Sequence, residues 1–187
     1  EWGSLYAGHF LLGAGKRGYN IPSEMMRSWT AYSRNKAINW QPDSRNFYGA
    51  DLTQSYRLYL LALARSAEMG AMNRLKEFQY LSPEAKWRLA AAYQLAGQPA
   101  TAQELVRGLP VSFAQRPSPG MSYGSDLRDM AMVLETLTLM GKRNEAASLL
   151  QRIASSLSDD QWYSTQTTSY ALLSVAGYCG SNPSGQK

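Results

Sequence analysis

Residues 126–157 read DLRDMAMVLETLTLMGKRNEAASLLQRIASSL, and this stretch decides the fold. Its second half places apolar residues on one side of a helix, namely Ala146, Leu149, Leu150, Ile153, Ala154 and Leu157. In residues 127–140, by contrast, Leu, Met, Ala and Val surround nearly the whole helix. A helix that is apolar all round is buried on more than one side. The stretch therefore predicts an inner helix followed by an outer helix.

The same contrast recurs along the chain and predicts an all-α fold. We expect nine helices, near residues 4–17, 22–37, 52–67, 71–79, 83–96, 99–107, 126–140, 144–157 and 165–177. The odd-numbered helices are rich in Leu, Ala and Tyr around most of their circumference, and the even-numbered ones are shorter or one-sided. This pattern is typical of helical hairpins in two layers. We therefore expect the odd-numbered helices to be more buried than the even-numbered ones. We also expect Leu149 and Ile153, on the apolar side of the eighth helix, to be buried.

Turn and cap residues agree with these boundaries. Five glycines fall just past predicted helix ends, where a left-handed residue is favoured: Gly18, Gly70, Gly97, Gly108 and Gly141. Ser82 followed by Pro83 predicts a helix start, and residues 51–54 (DLTQ) resemble a capping box with an acid in place of Ser or Thr. The irregular segment 109–124 is expected to be an ordered loop within the domain.

Composition narrows the class of protein. The 187 residues are 44% hydrophobic and 18% charged, which is typical of a globular chain that needs no disulfide or metal staple. One Cys and one His argue against an internal zinc site, and no apolar run reaches the ~20 residues of a membrane span. Because neither end carries a recognisable start or a packed tail, we expect a piece of a larger protein.

The net charge of +5 comes from the first half of the chain. Residues 1–88 hold twelve Lys or Arg against seven Asp or Glu, whereas residues 89–187 hold seven of each. The basic residues are spread at helical spacing, and a nucleic-acid interface would concentrate them into a patch. We interpret them as solvated helix faces, with a weakly electropositive surface facing an acidic neighbour as the alternative.

Several short motifs could carry chemistry, but each has a simpler interpretation. Gly13 to Gly18 (GAGKRG) matches G-x-G-x-x-G, yet it follows a predicted helix, where the helix dipole disfavours phosphate. Ser33 and Lys36 fit S-x-x-K without its partner motifs. His9 stands among apolar residues and is expected to be packed and hydrogen-bonded. The acid pairs Asp126/Asp129 and Asp159/Asp160 are expected at a helix start and in a loop.

Several stretches resemble, in order, one helical domain of a known family. They are WGSLYAGHFLL (2–12) with GYNIP (18–22), LTQSYRLYLLAL (52–63), KWRLAAAY (86–93), GSDLRD (124–129) and QWYSTQTTSYALL (161–173). Together they resemble the thioester domain of bacterial alpha-2-macroglobulins. The resemblance implies a partial α/α toroid over residues 1–177. It also implies that residues 178–187 form a linker toward a following domain.

The family implies a function for the parent protein. Its members trap proteases in the bacterial envelope, many of them through a reactive thioester within the motif C-L-E-Q, which is not found in these 187 residues. No Gln lies at the required spacing from Cys179, so no catalytic, cofactor-binding or metal residue is carried over, and Cys179, expected after the last helix, should have ordinary reactivity. The resemblance implies an extracellular or periplasmic location.

The implied partners are other domains of the parent chain and, for the full-length protein, host or competitor proteases; neither nucleic acid nor a membrane span is expected. Two functions therefore stay open. The first is a structural and interaction domain of a protease-trapping protein, which alone should neither inhibit proteases nor catalyse a reaction. The alternative is a toroid enzyme of the glycosidase or terpene-cyclase shape. Acidic clusters at the ends of inner helices would favour that alternative.

Overall fold

A computed structural model describes residues 1–42, 50–111 and 125–181, and these residues form an all-α structure, as predicted. The described helices are α1 (Trp2–Lys16), α2 (Ser23–Ile38), α3 (Ala50–Leu63), α4 (Met69–Lys76), α5 (Pro83–Leu95), α6 (Pro99–Val106), α7 (Asp126–Leu139), α8 (Arg143–Ser158) and α9 (Thr165–Gly180). None of them has the length and hydropathy that crossing a membrane would require.

Serine residues start three of the odd-numbered helices. Ser82, Ser125 and Ser164 are the N-caps of α5, α7 and α9, and each side-chain oxygen accepts a hydrogen bond from the backbone N–H three residues later, at 3.2, 3.1 and 3.2 Å. Such a bond satisfies one of the N–H groups that a helix start leaves without an intrahelical partner. The predicted cap at Ser82 is confirmed.

The end of α3 differs from the prediction. The helix ends at Leu63, four residues early, because Arg65 adopts a left-handed conformation with φ of 57° and the Ser66 N–H donates to the Leu61 carbonyl at 2.8 Å. Gly70, predicted to end this helix, lies inside α4 instead. The other four predicted glycines do have positive φ angles: Gly18, Gly97, Gly108 and Gly141.

The start of α3 also differs. The helix begins at Ala50, so Asp51 lies in the first turn and the predicted capping box is wrong. The Asp51 carboxylate instead accepts hydrogen bonds from two backbone N–H groups, those of Leu52 and Ser82, each at 2.8 Å. Asp51 therefore joins the first turn of α3 to the N-cap of α5.

The chain divides into two compact units, residues 1–107 and residues 108–187. In the first unit α3 packs against α1 and α5, α2 and α4 pack against each other and against α3, and α6 packs against α5. In the second unit α7 packs against both α8 and α9. The expected loop lies mainly in residues 112–124, which are outside the described residues.

Burial confirms the layers for α3, α5 and α7, which bury most of their residues, and for α8, which buries Leu149 and Ile153 on its single apolar side. For α1 and α9 the difference is small: they bury three and four residues, against two in α2 and three in α8. Phe10 on α1 is 70% exposed and Leu172 on α9 is 56% exposed. Helix α1 packs against α2 and α3, and α9 packs against α7 and α8, while part of the apolar surface of each stays in solvent.

Candidate functional site

A buried group of aromatic and basic side chains lies between α1, α3 and α5 in the first unit. It consists of His9, Tyr56, Arg57, Tyr59 and Arg88, and we call it the aromatic–arginine cluster. The His9 Nδ1 is 2.9 Å from the Tyr56 hydroxyl. The His9 ring stands edge-on to Tyr56 and Tyr59, with centroids 5.8 and 5.9 Å apart. The predicted packed, hydrogen-bonded histidine is confirmed.

The guanidinium of Arg88 packs against the two tyrosine rings. Its central carbon lies 4.3 Å from the ring centroid of Tyr59 and 5.9 Å from that of Tyr56, and the side chain is fully buried. The negative face of an aromatic ring attracts a cation, and the attraction grows when water is excluded. The rings thus compensate in part for removing this charge from solvent.

Arg57 is held by polar partners. Only 2% exposed, it donates to the Glu1 carboxylate at 3.0 Å and to the Gln54 side-chain oxygen. Burial lowers the pKa of Arg57 because water no longer solvates its charge, and the nearby Glu1 carboxylate opposes that change. Glu1 also lies 3.8 Å from the ammonium of Lys36, so it links α2 to the cluster.

The cluster fits a structural role. Its arginines are enclosed by aromatic rings, an amide and a carboxylate, which stabilise charge inside a helical core. The expectation that the basic residues lie on solvated helix faces is wrong for Arg57 and Arg88. The sequence does indicate that both arginines are buried, because each stands between apolar residues on a helix that is apolar all round. The two stretches are Tyr56-Arg57-Leu58 and Trp87-Arg88-Leu89.

The glycine motif lies at the carboxyl end of a helix. Gly13 and Gly15 belong to the last turn of α1, and Gly18 follows it with φ of 85°. The Gly13 carbonyl accepts a hydrogen bond from the Arg17 side chain at 3.2 Å. Backbone carbonyls and the negative end of the helix dipole therefore face this motif, which is the opposite of a phosphate site.

The other predicted motifs occupy separate places. Ser33 is buried on α2, whereas the Lys36 ammonium lies 3.8 Å from Glu1 and 5.8 Å from the Tyr32 ring centroid. Asp126 and Asp129 lie in the first turn of α7, where Asp129 accepts from Arg128 at 2.8 Å. Asp159 ends α8, and Asp160 is exposed in the loop that follows. Both acid pairs thus lie where the sequence predicted them.

Cys179 corrects another expectation. It is exposed and lies in the last turn of α9, which continues to Gly180, and not after the last helix as expected. Residues 182–187 are outside the described residues. Across the described parts of the chain, no group of three or more His, Cys, Asp or Glu residues could hold a metal ion.

Comparisons of the sequence with family models and with curated proteins give no match. The structure does match solved structures. Salmonella alpha-2-macroglobulin reacted with methylamine has a TM-score of 0.79 and 22% identity over 94% of this chain. Native Escherichia coli alpha-2-macroglobulin from domain MG7 to the C-terminus has a TM-score of 0.78 and 23% identity over 95% of this chain. The trypsin-activated Escherichia coli protein has a TM-score of 0.71 and 26% identity over 94% of this chain.

These matches define the fold. The chain has the all-α fold of a segment of bacterial alpha-2-macroglobulins, which confirms the resemblance found in the sequence. The chain spans only 12% of the Salmonella structure, 12% of the trypsin-activated Escherichia coli structure and 29% of the MG7-to-C-terminus structure. It therefore corresponds to a small part of those proteins.

Proposed function

We propose that this chain is a segment of a bacterial alpha-2-macroglobulin-like protease-trapping protein, where it serves as a structural and interaction domain of the thioester-domain type. The observation that carries the proposal is the fold match, which extends over 94–95% of the chain to structures of two bacterial alpha-2-macroglobulins. The order in which the resembling stretches follow one another along the sequence supports the same assignment.

The chemistry of the segment is consistent with a role in architecture. Covalent capture requires an acyl group activated by a thiolate leaving group, and hence a Cys and a Gln joined across a tight turn. The motif C-L-E-Q is not found in the 187 residues, and their single cysteine, Cys179, lies in the last turn of α9. The buried aromatic–arginine cluster instead ties α1, α3 and α5 into one packed body.

The parent protein would act outside the cytoplasm, in the cell envelope. Its partners would be the remaining domains of its own chain and the proteases that it meets. One structural neighbour is described as trypsin-activated and another as reacted with methylamine, which identifies reagents suited to testing this protein.

The test uses the complete product of the gene that encodes this segment, incubated with trypsin. We expect trypsin to cut the protein and then to lose activity toward large protein substrates while keeping activity toward a small peptide substrate. Unchanged activity toward both substrates would contradict the proposal.

The 187-residue chain is the control. We expect it to leave trypsin activity unchanged and to retain no radiolabelled methylamine. Stoichiometric loss of protease activity, or label retained on the chain, would mean that these helices carry chemistry of their own.

A further inference from the structure

The only histidine of the chain, His9, lies at the contact between α1 and α3. It is 6% exposed, and with Leu5 and Gly8 it is one of the three residues that α1 buries. Its Nδ1 atom lies 2.9 Å from the Tyr56 hydroxyl, and its ring stands edge-on to Tyr59. The aromatic–arginine cluster thus contains, at this contact, the one type of side chain whose charge ordinarily changes near neutral pH.

The neutral form of His9 suits this environment. A neutral imidazole can share a hydrogen bond with the Tyr56 hydroxyl in either direction, because one ring nitrogen donates and the other accepts. In water, an imidazole takes up a proton near pH 6.5. Inside the cluster, proton uptake would place a charge on a side chain that is almost fully shielded from water, and burial of this kind disfavours the charged form.

Two cations already belong to the cluster. The Arg88 guanidinium packs against the rings of Tyr59 and Tyr56, the two rings that His9 also meets. Arg57, one residue after Tyr56, is 2% exposed. A protonated His9 would be a third positive charge in the same enclosed group. Attraction to the tyrosine rings would favour that charge, but Arg88 already uses this attraction, and both burial and like-charge repulsion oppose it.

Three carboxylates stand on the helices that form the cluster. Glu1, the N-cap of α1, lies 3.0 Å from Arg57 and 3.8 Å from Lys36 of α2. Asp51 on α3 accepts from two backbone N–H groups, each at 2.8 Å. Glu84, which is 8% exposed, stands one turn before the second arginine on α5. With the imidazole protonated, the histidine, the two arginines and this lysine would outnumber the three carboxylates, while the tyrosines stay neutral below pH 10.

We propose that His9 is a pH-sensitive switch for the docking of α1 against α3. Above pH 7 the imidazole is neutral both in the docked state and in a state in which α1 has left α3, so pH does not change the balance between them. Below about pH 6.5 the undocked state takes up a proton that the docked state disfavours. Acid therefore shifts the balance toward the undocked state, by up to about tenfold per pH unit. The switch is a property of this chain and does not depend on the proposed function.

Amide hydrogen exchange of the 187-residue chain, measured by mass spectrometry at pH 7.5, 6.5 and 5.5, tests the switch. Rates are divided by those of an unstructured peptide at the same pH, which removes the intrinsic pH dependence of exchange. We expect the protection of the α1 amides to fall by up to about tenfold between pH 6.5 and 5.5. It should stay constant in His9→Gln, whose side chain forms hydrogen bonds but takes up no proton. Helices α7 and α9 are the internal control, because residues 108–187 contain no histidine, and their protection should not change.

Three outcomes would overturn the proposal: constant α1 protection in the wild type, an equal loss in the wild type and His9→Gln, or a parallel loss in α7 and α9. The second would assign the effect to another group, and the third would indicate acid unfolding of the whole chain. An NMR titration of the His9 ring protons in the wild type covers the case in which the variant does not fold. A midpoint clearly below pH 6.5 supports the switch, and a midpoint at or above pH 6.5 rejects it.

Discussion

The backbone of Gly8 lies directly against the indole ring of Trp29. A Cβ atom added at position 8 would stand 2.1 Å from the ring carbon Cε2 of Trp29, far inside van der Waals contact. The ring is also held by a hydrogen bond, which the Trp29 indole N–H donates to the Ser4 carbonyl at 3.0 Å. The absence of a side chain at Gly8 is therefore what allows α1 and α2 to approach each other here.

Gly8→Ala should destabilise the chain by about 2–3 kcal/mol, because the new methyl group must displace a rigid ring and its hydrogen bond. Urea denaturation of the 187-residue chain measures the change. Gly3→Ala on the same helix is the control, since nothing lies within 4 Å of its Cβ position, and it should be neutral or stabilising by up to about 1 kcal/mol. Equal effects of the two substitutions would refute the steric argument.

Glu1→Gln should destabilise the chain by about 1–2 kcal/mol, because it removes the carboxylate that faces the buried Arg57 guanidinium. Glu24→Gln is the matched control: Glu24 pairs with Arg27, but both side chains are more than 70% exposed, and such pairs contribute about 0–1 kcal/mol. Thermal and chemical denaturation of both variants give the comparison. A larger loss for Glu24→Gln than for Glu1→Gln would contradict the assigned role of Arg57.

Alkaline pH should destabilise the first unit through Tyr93. Burial raises the pKa of Tyr93 from 10.0 to about 12, with a smaller contribution from Glu77, and its hydroxyl donates to the Asn73 side-chain oxygen at 2.7 Å. Below pH 10 the phenol is neutral in both the folded and the unfolded state. Between pH 10 and 12 only the unfolded state loses the proton, so stability falls by roughly 1.4 kcal/mol per pH unit.

The measurement compares the free energy of unfolding of the wild type and Tyr93→Phe between pH 9 and pH 12. The difference between the two proteins should shrink as pH rises, because the variant lacks this ionisation. Tyr80→Phe is the control, because it removes the hydroxyl group of an exposed tyrosine. A difference that stays constant across the range would show that Tyr93 titrates alike in both states.

Arg65→Gly should stabilise the chain by up to about 1 kcal/mol. The Arg65 backbone has φ of 57°, a conformation that glycine adopts without steric cost, and the side chain is exposed. Gly97→Ala is the reverse substitution at φ of 76° and should destabilise by about 1 kcal/mol or more. Opposite signs in urea denaturation support the assignment, and loss of stability in both variants would exclude it.

The sequence predicted the helices and the burial of the inner helices α3, α5 and α7, because both depend on the local spacing of apolar residues. The residues of α3, α5 and α7 are apolar around the helix, and that pattern translates directly into burial. The end of α3 escaped prediction because the left-handed position is filled by Arg65, whose type does not announce a helix end.

The composition of the aromatic–arginine cluster escaped prediction for a different reason. Helical periodicity identifies an apolar face, but it does not say which rings from other helices will enclose a polar side chain. His9 and Tyr56 meet across 47 residues of sequence, and Glu1 and Arg57 across 56. Only the tertiary arrangement of α1, α3 and α5 brings these groups together.

The shared contact of Thr167 with Ser125 and Ser164 has a consequence for local unfolding. A helix normally frays from its ends, because its first N–H groups exchange intrahelical bonds for water at little cost. Here the caps of α7 and α9 meet at one hydroxyl group, so opening either first turn takes a bonding partner from the other. We therefore expect the two helix starts to open as one cooperative unit, with their amide hydrogens exchanging through a common event rather than through two independent ones.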